Sequence, residues 1–232
     1  MKRLSTSLIL FLILIGNAIA ESESWLSIGV EYGNFFEKTS SSGVTLDSYI
    51  GSPGMSLSDY TFWNKDNIGL FVHDSFLLPK DMTATINGAT SNIDLSIYDL
   101  MIQTGLLIGP GVRYIICPNI AMHFGFGPNI IETSASYSKY NSYYNQTISY
   151  SMLSFDIGAG IDAGFKVDFG SVLYLDIGTL VIFDMINYTS ISSSFGNASA
   201  WSDGNYSLIS VQPYLCLGFN IYNSTVGFGK PK

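Results

Sequence analysis

From Leu153 to Asp168 the chain alternates without a break. The odd positions are Leu153, Phe155, Ile157, Ala159, Ile161, Ala163, Phe165 and Val167, and the even ones are Ser154, Asp156, Gly158, Gly160, Asp162, Gly164, Lys166 and Asp168. Successive side chains of a strand point to opposite faces, so a period of two collects every apolar group on one face. The run covers sixteen residues, against roughly 5–6 for an ordinary globular strand. A strand that long needs an apolar environment along its whole outer face.

The pattern recurs. Ile209, Val211, Pro213, Leu215, Leu217, Phe219 and Ile221 oppose Ser210, Gln212, Tyr214, Cys216, Gly218 and Asn220. Further alternating segments begin at Leu26, Met101, Ile120 and Leu173. The spacing predicts eight strands, at 25–36, 67–78, 82–87, 93–116, 120–136, 150–168, 172–190 and 206–222. Short turns at 79–81, 117–119 and 169–171 separate them, together with Asn87-Gly88, a hairpin dipeptide. Long polar loops are expected over 37–66, 137–149 and 192–205.

Composition decides what surrounds these strands. Charged residues make up 12% and hydrophobic ones 47%, where a soluble domain carries about 25% charged. Disorder is excluded, because it requires low hydrophobicity. With 10 Lys+Arg against 18 Asp+Glu, there is no basic stripe for nucleic acid. The uncharged stretch Tyr114–Ile131 is broken by Cys117-Pro118-Asn119 and Gly125-Phe126-Gly127-Pro128, so it is no helical span. In hydrocarbon every backbone polar group must be paired, which leaves closed barrels as the strand solution. The fold expected is all-β: an eight-stranded antiparallel up-and-down transmembrane β-barrel.

The first twenty residues read as a cleaved export signal. Lys2 and Arg3 precede the apolar run Leu8–Ile15, and Ala18-Ile19-Ala20 offers a small-x-small cleavage site. The barrel domain is then 21–232. Cys117 at a turn and Cys216 in mid-strand are not expected to form a disulfide.

Gly109-Pro110-Gly111-Val112-Arg113-Tyr114, a short turn, and then Ile120 to Gly127 resemble the strand–turn–strand unit of small outer-membrane β-barrels of the OmpX, OmpW and OmpA-transmembrane type. The likeness covers 25–222. It implies residence in a bacterial outer membrane, with lipid and the barrel assembly machinery as partners. The chain departs from that group in ending Phe228-Gly229-Lys230-Pro231-Lys232 rather than in an aromatic residue; either Phe219 or Tyr222 serves as the assembly signal instead, or the source is a lineage with a different signal, for which a spirochaete is expected.

Two groups of candidate residues follow. Glu31, Arg113, Asp156, Asp162, Lys166, Asp168, Asp176 and Asp184 fall on the inward rows. They form either an internal salt-bridge plug around Arg113 and Lys166 or a cation-favouring water path. Tyr60, Trp63, Tyr140, Tyr143, Tyr144 and Trp201 fall in the long loops, where Tyr amid Ser and Asn suits adaptable recognition of host or surface molecules. Trp25, Tyr32, Phe35, Phe36, Tyr114, Phe165 and Tyr222 lie near strand ends, as an interfacial girdle would. His73 and His123 sit on inward rows without ligand spacing or a triad motif. No metal, cofactor or catalysis is therefore expected. Three roles compete: a structural or surface-interaction barrel, a narrow channel for small or hydrophobic solutes, and, well behind, a lipid-modifying enzyme. Asp74 is an awkward exception, a charge on an outward row.

Overall fold

The alternation at 153–168 occupies the lower part of a longer strand. In the computed structural model, which describes residues 22–41, 43–63, 67–142, 145–201, 206–222 and 227–228, all strands belong to one antiparallel sheet. In chain order they are β1 Ser22–Ser41, β2 Val44–Trp63, β3 Ile68–Leu77, β4 Asp81–Ile86, β5 Ala89–Asn92, β6 Leu100–Cys117, β7 Ile120–Asn141, β8 Gln146–Phe169, β9 Leu173–Ser193, β10 Gly196–Trp201, β11 Tyr206–Tyr222 and β12 Gly227–Phe228. Among the described residues no helix is long and apolar enough to cross a membrane. Residues 1–21, with the expected export signal, lie outside the described residues.

The ladder closes on itself. Partner to partner, Ser27 leads to Ser58, His73, Leu107, Asn129, Gly158, Asp184, Leu208 and finally Glu37. The walk returns to β1 ten residues above its start. That stagger is the shear a closed sheet of tilted strands requires. Connections 64–67, 118–119 and 170–172 join strands at one end, here the short-turn end. At the other, long-hairpin end, strands run on past one another as paired extensions.

Three expectations about residues 37–100 need correcting. The segment 37–66 is not a loop: β2 fills most of it, pairing with β1 from Ser22↔Trp63 to Ser41↔Val44. The segment 82–87 is not a stave of the circuit: β4 pairs with the upper part of β2 and turns back onto β5. The Asn87-Gly88 turn has φ 49° and 86°, the left-handed pair a two-residue I′ hairpin needs. Third, the next stave begins at Leu100 rather than 93, because a 3₁₀ turn at Leu95–Ile97, capped by Asp94, precedes it. Pro53 marks where β2 changes partner. Its neighbour Gly54 pairs with the end of β3 and Gly51 with the start of β4, so its missing N–H falls at a gap in the ladder.

The loops expected at 137–149 and 192–205 are mostly strand. β7 and β8 stay paired to Asn141↔Gln146, and β9 pairs with β10 from Gly196↔Ser193 to Trp201↔Tyr188. In β9 a bulge carries Ile157↔Ile186 into Gly158↔Asp184. It moves the inward row from even positions to odd ones, so Asn187 and Thr189 turn inward above it.

Burial follows parity. Along β11, positions 208–220 alternate buried and exposed at every residue. Outward Ile28, Val30, Phe76, Val112, Phe126, Ile161, Val181 and Leu217 are exposed, while inward polar residues are buried. Trp25 and Phe35, expected in the girdle, share the odd, inward row of β1 with Glu31 and are 3% and 1% exposed. The Tyr222 side chain lies outside the described residues.

Candidate functional site

The enclosed row of polar side chains is the one feature with the chemistry of a site. At the short-turn end, Arg113 donates to Glu23 at 2.6 Å, with its guanidinium 4.4 Å from the Phe62 ring centre. Lys166 pairs with Asp168, which also accepts from Asn220. The Lys166 ammonium lies 4.6 and 4.8 Å from the Trp25 and Tyr174 ring centres. Each cation is thus held by one carboxylate and by aromatic faces.

Histidines carry the middle of the lumen. His123 Nε2 lies 2.8 Å from Asp176 Oδ1, and Ser27 reaches the other oxygen at 3.3 Å. His73 stands between two carboxylates, Nε2 at 3.3 Å from Glu31 and Nδ1 at 3.4 Å from Asp162. Ser75 donates to Glu31 at 3.0 Å, and the Tyr214 hydroxyl donates to Asp162 at 2.8 Å. Glu31, His73, Asp162 and Tyr214 come from β1, β3, β8 and β11, so the cluster ties four staves together.

Apolar side chains come next. On β1, Phe35 separates Glu31 from Glu37; on β9, Leu180 and Ile182 separate Asp176 from Asp184; on β3, Leu77 lies beyond Ser75. With Leu107 and Ile131 these belong to one buried hydrophobic cluster, none more than 2% exposed. Polar groups interleave with this cluster and continue beyond it toward the long-hairpin end. Asn129 donates to both Asp184 oxygens at 3.2 and 3.3 Å. Asp156 accepts from Tyr206 and Asn187, both at 2.6 Å, and Glu37 accepts from Ser48 at 3.1 Å.

Glycines make this packing possible. A Cβ on Gly125 would meet the Phe71 ring at 2.5 Å, and one on Gly218 the Tyr174 ring at 2.1 Å. Each large ring therefore lies over a glycine of a nearby strand, Tyr174 over its own ladder partner Gly218, as a narrow barrel interior demands.

The inward charges thus sort into three tiers: Arg113 and Lys166 at the short-turn end, Glu31, Asp162 and Asp176 on the histidines, Asp156 and Asp184 above. Sequence reasoning did not single out Glu23, Tyr214 or Ser75, although row parity placed Tyr214 inside. The loop residues scatter. Tyr60, expected at the surface, lies on the inward row of β2, 1% exposed, its ring centre 4.6 Å from that of His123. Trp63 pairs with Ser22 at the short-turn end, away from the hairpins. Both corrections follow from 37–66 being strand. Tyr140 is exposed near the β7 tip, donating to Asn145 at 2.5 Å. Trp201 is exposed and packs on Tyr188, ring centres 4.7 Å apart. Tyr143 and Tyr144 lie outside the described residues. Outward Asp74 pairs across the ladder with Leu57 and Leu106. Both cysteines are free, Cys117 exposed and Cys216 buried.

No protein-family model matches the sequence, and no curated protein matches it either. Solved structures do. The outer membrane protein OprG from Pseudomonas aeruginosa superposes with a TM-score of 0.54 at 10% identity, over 88% of this chain and 98% of that one. The outer membrane protein AlkL, solved in lipid bilayers, superposes with a TM-score of 0.56 at 11% identity, over 88% and 92%. Ail, the attachment invasion locus protein of Yersinia pestis, gives 0.45 at 14% identity, over 87% and 99%. The chain has the fold of the small bacterial outer-membrane β-barrels.

Proposed function

We propose that this chain is an integral protein of a bacterial outer membrane, exported by residues 1–20 and inserted by the barrel assembly machinery. Its closed circuit is an eight-stranded transmembrane barrel that passes no solute through its lumen and acts through its surface hairpins. The short-turn end faces the periplasm and the paired extensions face outward.

The observation that carries this reading is the Phe35, Leu77, Leu107, Ile131, Leu180 and Ile182 layer, almost wholly buried. Conduction needs a polar path for the ion, and these side chains interrupt the polar row on strand after strand. Below them, every inward Lys, Arg and His lies against a carboxylate. Such pairing favours a fixed plug over a mobile ion path. Both His73 nitrogens face carboxylates rather than a hydroxyl nucleophile, which supports a non-enzymatic role.

What remains available is the rim. Tyr137 and Tyr150 face each other across β7 and β8 with ring centres 6.0 Å apart. With Lys139, Tyr140, Ser142 and Ile148 they line an open cleft of about 410 Å³. Aromatic and hydroxyl groups on a rigid hairpin suit contact with host or neighbouring surface molecules. Tyr140, Tyr143, Tyr144 and Trp201 are the residues proposed for it.

Planar-bilayer recording tests the reading. The purified barrel is expected to give no unitary conductance steps. Steady steps abolished by Asp176→Asn would overturn it in favour of the narrow channel. Cells expressing a barrel with 138–148 shortened to a tight turn are expected to lose surface binding while keeping the folded protein in the membrane.

A further inference from the structure

Ile148 is buried where its surroundings are not. It is the third residue of β8, at the tip of a hairpin, and both its chain neighbours are exposed, yet it is 9% exposed itself. Its ladder partner is Lys139, and the next pair on the same face is Tyr137↔Tyr150. These four side chains gather on one side of the hairpin. With Tyr140 and Ser142 they line the open cleft of about 410 Å³, a volume within the roughly 300–1,000 Å³ of small-ligand sites.

Two ties fix the shape of this cleft. At the tip, the Tyr140 hydroxyl donates to Asn145 across the turn. Further down, the Ser194 N–H donates to the Ser149 carbonyl at 3.2 Å, and the Ser149 N–H donates to the Ser194 hydroxyl at 3.1 Å. The second tie anchors β8 to the turn between β9 and β10. The walls are therefore ordered before a ligand arrives, which lowers the entropy cost of binding.

The lining decides the ligand. Lys139 is its one charged residue, and among the described residues no Asp or Glu forms an ion pair with it. One ammonium answers one carboxylate. A sulfated or phosphorylated polymer would need a row of cations, and Asp47, Asp81, Asp94 and Asp99 at the same end would repel it. Tyrosine rings offer flat faces to the C–H side of a pyranose, while their hydroxyls and that of Ser142 suit its ring hydroxyls. Because the cleft is open, it covers one end of a molecule rather than enclosing it. Given the surface role proposed for the hairpins, we propose that this cleft takes a carboxylated sugar, the acidic terminal residue of a surface glycan. Lys139 pairs with the carboxylate, and Tyr137 and Tyr150 pack against the pyranose with Ile148 as the floor.

The test is a saturation-transfer NMR titration of methyl β-D-glucuronide into the full-length mature barrel in detergent micelles. Saturable binding is expected, weakened at least about tenfold by Lys139→Gln and by Tyr150→Ala. Heat-modifiable migration checks that each variant is folded. Methyl β-D-glucoside, with a hydroxymethyl group in place of the carboxylate, should bind at least about tenfold more weakly than the glucuronide. Lys80→Gln removes an exposed cation between β3 and β4 at the same end and should leave glucuronide binding unchanged. Absence of saturable binding by the folded wild type overturns the proposal. So does equal binding of the glucoside, equal loss in Lys80→Gln, or binding of benzoate as tight as that of the glucuronide, which marks a site for any carboxylate. If the glucuronide fails to bind while cells still lose surface attachment on shortening 138–148, the sugar assignment falls and the surface role stands. Attachment that survives the shortening overturns the surface role itself.

Discussion

His73 and Asp162 meet across the barrel interior, Nδ1 to Oδ2 at 3.4 Å, although 89 residues separate them in the chain. The other ring nitrogen of His73 faces Glu31, so one imidazole satisfies two carboxylates from opposite walls. Removing the ring leaves each with only a hydroxyl donor, Ser75 on Glu31 and Tyr214 on Asp162. His73→Leu is expected to destabilise the barrel by about 3–5 kcal/mol, the range for a buried charge left without its partner. Loss of heat-modifiable migration should occur at a markedly lower temperature. A variant as heat-resistant as the wild type would mean that the cluster carries no structural weight.

Packing sets a second limit. Phe71 and Gly125 occupy adjoining walls, and a Cβ at 125 would sit 2.5 Å from the Phe71 ring. Gly125→Val is therefore expected to cost about 1–3 kcal/mol through overpacking. Phe71→Leu should restore more than half of that loss in the double variant, although alone it is itself destabilising. A thermal-denaturation cycle over the four proteins measures the coupling; additive losses would place the strain elsewhere.

Outside the circuit, acidity reads out a local contact. Hydrogen bonds from Ser96 hold the Asp94 carboxyl below its ordinary value, and the Ser96 N–H donates to Asp94 Oδ1 at 3.0 Å. A depressed folded-state value means that the cap is fully present above the unfolded carboxylate range and is lost as pH falls through the lowered one. The Ser96 amide resonance should titrate below the usual carboxylate range in the wild type. In Asp94→Ala that inflection should vanish while the barrel's heat resistance stays unchanged.

How far the fold could be read depended on how uniform each face is. β8 and β11 were legible because lipid outside and polar packing inside impose opposite chemistry on alternate residues. β2 hid itself. Its outward row includes Asp47, Gly51, Pro53 and Asp59, and its inward row includes Ile50, Tyr60 and Phe62, so hydrophobicity falls on both faces and the period of two disappears. The upper third of β2 stands beside β4, where outward groups need not be apolar. Parity likewise assigned Glu31, Asp162 and Asp176 to the lumen but could not match acids to bases. Which groups meet is set by the shear that lifts the ladder from Ser27 to Glu37, a property of closure that no single segment encodes.

That difference between β2 and β4 can be tested with one substitution in each. Leu57 pairs with Ile28 on one side and Asp74 on the other, so it belongs to the closed circuit. Thr83 pairs with Tyr49 and Asn92 in the excursion beyond it. Proline removes a ladder donor at either site, but only at Leu57 is the orphaned partner within the span, where water cannot replace the bond. Leu57→Pro is expected to abolish or sharply reduce heat-modifiable barrel in the membrane fraction, with about 1–3 kcal/mol lost per orphaned group before the cost of lipid is added. Thr83→Pro should leave the barrel's migration intact and perturb only the excursion. The reverse result would return 82–87 to the circuit and make 44–63 the external segment.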